Sequence, residues 1–212
     1  KRIRINKSEL DNLKELNSGL NVVVFSPEDL RIVKDGPFER RNFLDSSISQ
    51  IRPVYKYNLS KYNKILYQRN NLLKSNKSKS EILSLLEVFD LQLAKTGTEI
   101  ILARKEFLDK LSNETENIHK KLTFENESLN LDYISNVNTL NYTKAQIEER
   151  FFKALKYSMK KDLAIGNTEI GPHRDDVGIK INGLDARTFA SQGQQRTVVL
   201  SIKLAQMEII YM

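Results

Sequence analysis

Ser191-Gln192-Gly193-Gln194-Gln195-Arg196 is a short polar turn with one glycine, and the run from Thr197 to Ala205 that follows it reads as a helix. Leu200, Leu204 and Met207 recur at helical spacing, with Val198 and Ile202 on the neighbouring face. Ser191 stands where an N-cap belongs. The first turn of a helix carries free amides and a partial positive charge, which suits a phosphate. A glycine just ahead of it lets the backbone approach closely. The turn holds no carboxylate, His or Cys, so its chemistry is anion contact rather than bond breaking. The plain alternative is a capped helix that binds nothing. His173, Asp175 and Asp176 form a second cluster, of the residue types that ligate metals or move protons. No further ligand cluster accompanies them, so no metal site is expected. A hydrogen-bonded turn with Arg174 paired to a carboxylate is the simpler reading. The sequence contains no G-x-x-x-x-G-K-[ST] and no G-x-S-x-G, so nothing in it cradles a triphosphate alone or presents a serine nucleophile.

The third group is basic. Lys56, Lys61, Lys64, Arg69 and Lys74 fall on one predicted helix, with Lys77 and Lys79 just beyond and Tyr55, Tyr57, Tyr62 and Tyr67 interleaved. Cations mixed with aromatics suit phosphate and sugar contact; the alternative is a solvated helix face with Tyr62 in its seam. Arg40 and Arg41, beside Phe38 and Phe43, are either a further phosphate-binding pair or an ion-pair anchor to Glu28 or Asp29. Across 212 residues, 34 Lys and Arg outnumber 27 Asp and Glu, a net charge of +7 that favours a polyanionic partner. Cysteine is absent, which excludes disulfides and thiolate metal sites and fits a reducing compartment. The longest apolar run, Val22 to Phe25, is far too short to span a membrane, and no signal peptide is visible.

The elements that must hold these groups change character along the chain. Lys1–Asn6 alternates and reads as a strand, and Asn21–Phe25 as a buried one. Ser26 can cap a turn that starts at Pro27. A helical pattern runs from Pro37 through Ile51. Pro53 opens a helix to about Lys74, and after a polar turn at Ser75–Ser80 a longer helix carries Ile82, Leu86, Phe89, Leu93, Thr96, Ile100, Ala103, Phe107, Leu111, Glu114 and Ile118 in near-heptad steps. These predict two antiparallel helices on a narrow seam, a coiled-coil arm. Gly97 marks a bend or a close crossing. Lys121–Phe124 and Leu129–Tyr133 read as a hairpin around Glu125–Ser128. Thr143 and Gln146 form a capping box for a helix ended by Gly166. Val177–Ile181 and Leu184–Ala190 read as strands joined at Asn182-Gly183. The expectation is an α+β fold, with strands at both ends and the helical arm inserted between them: residues 1–45, an arm over 46–120, and 121–212.

Several stretches together resemble the RecF family of bacterial recombination mediators. They are Phe25-Ser26-Pro27-Glu28-Asp29-Leu30, Val33-Lys34-Asp35-Gly36-Pro37, Arg40-Arg41-Asn42-Phe43-Leu44-Asp45, Leu59–Asn63 with Gln68-Arg69-Asn70, Gly171-Pro172-His173-Arg174-Asp175-Asp176, and Ser191–Arg196. The resemblance implies a piece of an ABC/SMC-like ATPase head. It implies that Ser191, Gln192, Gly193, Gln194, Gln195 and Arg196 form the signature loop, which meets the γ-phosphate of ATP held by the opposite subunit. Gln192 stands where the usual signature has its first glycine. Ser26–Asp29 falls in the nucleotide-sensing region, with Glu28 and Asp29 as its candidates. The resemblance also places the P-loop before Lys1 and the Walker B carboxylates after Met212, so this piece is expected not to hydrolyse ATP. For the whole protein it implies ATP with Mg²⁺ as cofactors and a homodimer formed on ATP. It implies binding to double-stranded DNA and single-strand/double-strand junctions, action with RecR, RecO and RecA in DNA repair and the SOS response, and a cytoplasmic, nucleoid-associated location. Arg40, Arg41, Lys61, Lys64, Arg69 and Lys74 are the DNA-binding candidates. A non-enzymatic coiled-coil module for protein partners, and a free-standing basic nucleic-acid binder, are the alternatives.

Overall fold

The computed structural model describes residues 22–75 and 78–211, together with the backbone of two short antiparallel strands, β1 (Arg4–Ile5) and β2 (Ser8–Glu9). The rest of the expected first strand, Asn21 of the second, and Lys77 of the basic group lie outside the described residues. Val22–Phe25 is irregular rather than a buried strand. Val24 and Phe25 are 63% and 58% exposed; no strand among the described residues pairs with them, and a lone apolar run has no ladder to join.

The Ser26 amide donates to the Asp29 carboxylate at 2.7 Å, capping a 3₁₀ turn at Pro27–Leu30. That turn leads into α1 (Arg31–Lys34), and Pro37 starts α2 (Pro37–Ile51) with the φ its ring fixes. The long pair is α3 (Pro53–Leu73) and α4 (Lys79–Leu122), the latter 44 residues or roughly 66 Å. They run antiparallel: Arg52 meets Glu106, Tyr62 meets Gly97, and Arg69 meets Asp90. Ile82, Leu86, Leu93, Thr96, Ile100, Phe107 and Leu111 are buried along α4. The seam is not two-stranded, because a third helix, α5 (Lys144–Ile165), lies against it. A Cβ at Gly97 would sit 2.5 Å from Phe151 Cε1 on α5 and 3.0 Å from Tyr62 Cε2 on α3, so this glycine marks a close crossing. Leu72, Leu73, Ile82 and Leu86, with Met159 and Leu163, form a small core of their own at the tip.

The Thr143–Gln146 capping box is present in both directions, and Gly166 closes α5 in the left-handed conformation. The expected hairpin at Glu125–Ser128 does not form. Lys121 and Leu122 stay in α4, and β3 (Leu129–Ile134) pairs instead with β4 (Asp176–Ile181), Leu131 opposite Ile179. Alternation identified the strand but not its partner. Asn182 and Gly183, both at positive φ, turn β4 into β5 (Leu184–Asp185). That strand is short because Asp185 Oδ1 accepts the Thr188 amide and starts the small helix α6 (Ala186–Phe189), so the expected strand to Ala190 is corrected. Helix α7 (Gln192–Tyr211) buries Gln195, Val198, Val199, Ile202, Ala205 and Gln206. Leu200 and Leu204 are only half-buried and Met207 is 45% exposed, so the inward face is one position away from the one that leucine spacing suggested. One core joins all three expected stretches, and residue 45 falls within α2, so that division follows chain order rather than separate cores.

Candidate functional site

The polar turn before α7 is exposed at Ser191, Gln192 and Gly193. Ser191 Oγ accepts the Gln194 amide at 3.2 Å, and Gln194 Oε1 accepts the Ser191 amide at 2.8 Å, a reciprocal cap. The helix therefore begins at Gln192, and Gly193 lies inside its first turn rather than ahead of it. Among the described residues nothing accepts from the amides of Gln192 and Gly193. A Cβ at Gly193 would meet only Ser191 Oγ, at 3.9 Å, so the space over this backbone is open. Gln195 points the other way: it is buried and donates to the Ala190 carbonyl at 3.2 Å. Arg196 turns towards a mostly apolar cleft of about 450 Å³ shared with Phe25, Pro27, Leu30 and Val199. The structure thus brings the start of α7 beside the Ser26–Leu30 turn. Asp29 is committed to its cap and lies 3.5 Å from Lys203 on α7, whereas Glu28 is exposed beside Arg31.

Two of the expected phosphate-binding cations are corrected. Arg40 is buried and forks onto Asp176 at 2.6 and 3.0 Å, while its Nη1 donates to the Ile32 and Asp35 carbonyls. It pairs with neither Glu28 nor Asp29; it pins the end of α1 to β4. Arg69 is wholly buried between Asp90 and Asp162. Cations drawn into such pairs cannot reach a polyanion. Arg41 is half-buried and donates to the Asp175 carbonyl, its pKa lowered by burial and by the neighbouring Arg104. Lys61, Lys64 and Lys74 are exposed. Tyr55 and Tyr62 belong to the core, but Tyr57 and Tyr67 are 66% and 67% exposed on α3.

The His173 cluster is a structural knot. The Thr168 carbonyl can only accept, so His173 Nε2 carries the proton and donates to it at 2.9 Å, leaving Nδ1 to accept from the Tyr62 hydroxyl at 2.7 Å. Burial pushes this imidazole down to about 4, and burial raises the Asp175 carboxyl. Arg174 pairs with Glu169 at 2.6 Å, the carboxylate partner expected for it. No group of metal-ligating side chains is found among the described residues. Sequence reasoning missed Arg104, which ties Asp45 to the Pro172 carbonyl, and also missed His119 and Glu127. Apart from the contact between His119 and Glu127, their partners are distant in sequence, and no local pattern signals them.

Exposed capped loop, buried Arg–Asp anchors and long helical pair together have the fold of part of an ABC-family ATPase. The chain superposes with a TM-score of 0.87 and 38% identity on the recombination mediator protein RecF-ATPrS of the RecFOR pathway, covering 99% of this chain and 56% of that one. RecF-ATP of the same pathway gives 0.86 and 38%, covering 98% and 56%. The DNA replication and repair protein RecF of Clostridium botulinum strain Okra is 47% identical over 210 residues, 99% of this chain and 56% of that protein. The chain belongs to the RecF family, and it spans about half the length of the relatives it matches. No family model matches it. No helix among the described residues is long and apolar enough to cross a membrane.

Proposed function

We propose that this chain supplies the signature loop of a DNA-repair ATPase that dimerises on ATP, with Ser191, Gln192 and Gly193 meeting the triphosphate held by the opposite subunit. The observation that carries the reading is the pair of unclaimed amides at Gln192 and Gly193 beneath open space. They form a helix-terminus anion site, in a chain whose structural relatives are RecF-ATP and RecF-ATPrS. Leu184 and Phe189, exposed beside Ala190 and Gln194, give apolar surface for the core of a subunit contact. ATP and Mg²⁺ belong to the other half of that site; this chain's part is to present donors and fix their direction. Glu28 and Asp29, on the turn facing α7, are the nucleotide-sensing candidates, and Glu28 is the one with an exposed carboxylate. Ser191→Arg in the full-length protein is expected to abolish ATP-driven dimerisation in sedimentation while the monomer still binds ATP. Dimers that persist would overturn the trans contact.

The whole protein, in this reading, binds duplex DNA and its junctions with single strands and works with RecR and RecO to load RecA at gaps. Helix α3 contains no Asp or Glu in its 21 residues, and its outward side carries Lys56, Lys61 and Lys64 with Tyr57 and Tyr67, leading to Lys74. A face without carboxylates suits a phosphate backbone. Replacing Lys61, Lys64 and Lys74 with Ala should weaken duplex binding. The slope of log affinity against log salt should shrink by roughly 0.9 for each phosphate left without its cation. An unchanged slope would place the DNA elsewhere.

A further inference from the structure

Glu127 lies in the turn between α4 and β3, where Phe124 and Glu125 take positive φ values of 52° and 61°. Its two oxygens have different partners. Oε1 accepts from Gln194 Nε2 at 2.8 Å, and Oε2 faces His119 Nε2 at 3.1 Å. A carboxylate accepts, so His119 carries a proton on Nε2 and the Gln194 amide has one possible orientation: its oxygen takes the Ser191 amide and its nitrogen donates to Glu127. His119 sits in the last turn of α4, fully buried, with Nδ1 3.0 Å from Ser201 Oγ on α7. A continuous path results, Ser201–His119–Glu127–Gln194–Ser191. It leaves α7 at its middle, passes through the end of the long arm helix, and returns to the first turn of α7. Among the described residues, Glu127 is the one side-chain tie from Ser191–Gln194 to another element; the loop's other bonds stay within Ala190–Thr197.

We infer that Glu127 is a positioning residue for the exposed loop, and that through His119 it makes the loop's geometry answer to the seating of α4 on α7. The inference rests on the reading of that loop as the contact to a second subunit's triphosphate. Gln194 serves both the cap and Glu127, so a shift in either reaches the amides of Gln192 and Gly193. A load on the arm that rocks the last turn of α4 moves His119, and Glu127 carries the movement to the loop.

The test uses the full-length protein with ¹⁵N-labelled glutamine. Glu127→Gln keeps the volume and one acceptor for His119, so the fold is retained, but it has no second acceptor for Gln194; Glu127→Ala removes both. In the nucleotide-free protein the Gln194 side-chain amide signal should move to the position of an exposed glutamine in both variants. His119→Asn should move it from the far end of the path. ATP-driven dimerisation should weaken about ten-fold, as for loss of a hydrogen bond to a charged group, while the monomer's ATP affinity stays unchanged. An unmoved Gln194 signal in the Glu127 variants overturns the inference. A moved signal with full dimerisation, in a protein whose wild type dimerises on ATP, overturns it too. A signal unmoved by His119→Asn overturns the link to the arm. If the signals move but the wild type forms no dimer on ATP, Glu127 still positions the loop and the trans reading is what fails.

Discussion

Arg69→Met is expected to lower stability by about 3–5 kcal/mol, the usual consequence of removing one partner from a buried ionic cluster. Arg69 Nε donates to Asp90 on α4 at 2.7 Å, and Nη1 donates to Asp162 on α5 at 2.7 Å and to the Thr168 hydroxyl at 2.8 Å. The Thr168 hydroxyl and amide both donate to Asn70 Oδ1, and the Glu169 amide donates to Asp162, so the residues after α5 are fastened by the same group. One guanidinium thus joins three helices at the level where α3, α4 and α5 meet. Met matches the volume and leaves the two carboxylates buried with no cation. Burial already raises the Asp90 carboxyl, Arg69 opposes that rise, and without Arg69 the Asp90 charge is relieved only by taking up a proton. The loss should therefore be largest at neutral pH and shrink on acidification, as urea unfolding of wild type and variant at a series of pH values will show. Arg69→Lys should recover part of the loss, because it restores the charge without the planar fork. A Met variant as stable as the wild type at pH 7 would mean the cluster is solvated.

The sequence announces the features whose cause lies within a few residues. Thr143 and Gln146 cap α5 because each satisfies the other's backbone, and Asn182-Gly183 turns a hairpin because both residues tolerate positive φ. The sequence marks Gly97 as a bend or a close crossing; that Phe151 and Tyr62 fill the crossing depends on the third helix. Long-range pairing left no local trace. β3 could as well have paired with the residues just before it as with β4, since alternation says which face is apolar and nothing about the neighbour. Charge was misleading in the same way. Arg40 and Arg69 have the composition of a nucleic-acid face and the surroundings of a core, because their carboxylate partners lie far along the chain. The exposed position of Ser191–Gly193 was legible from polarity, whereas the hold of Glu127 on Gln194 was not.

Acidification from pH 7 to pH 4 should lower stability by roughly 3 kcal/mol through His173 alone. Burial holds this imidazole near 4 in the folded protein, with Arg174, Arg41 and Arg69 acting in the same direction, against 6.5 for an unperturbed histidine. Between those values the unfolded chain binds the proton and the folded one does not, so unfolding is favoured as pH falls through the window. Above pH 6.5 both states are neutral and the contribution is complete. The hydrogen bonds give the same sign: Nδ1 accepts from the Tyr62 hydroxyl, and a proton there would face a donor in a closed space beside Gly171. Asp90 and Asp175 work against this trend at the acid end, because burial raises both carboxyls and the folded state then binds more protons than the unfolded one. The histidine's share is isolated by comparison with His173→Gln, whose amide can donate to the Thr168 carbonyl and accept from Tyr62 without titrating. The difference in unfolding free energy between the two proteins should be flat above pH 7 and close steadily between pH 6.5 and 4. Parallel curves across that interval would mean that His173 takes up its proton in the folded protein as readily as in the unfolded chain.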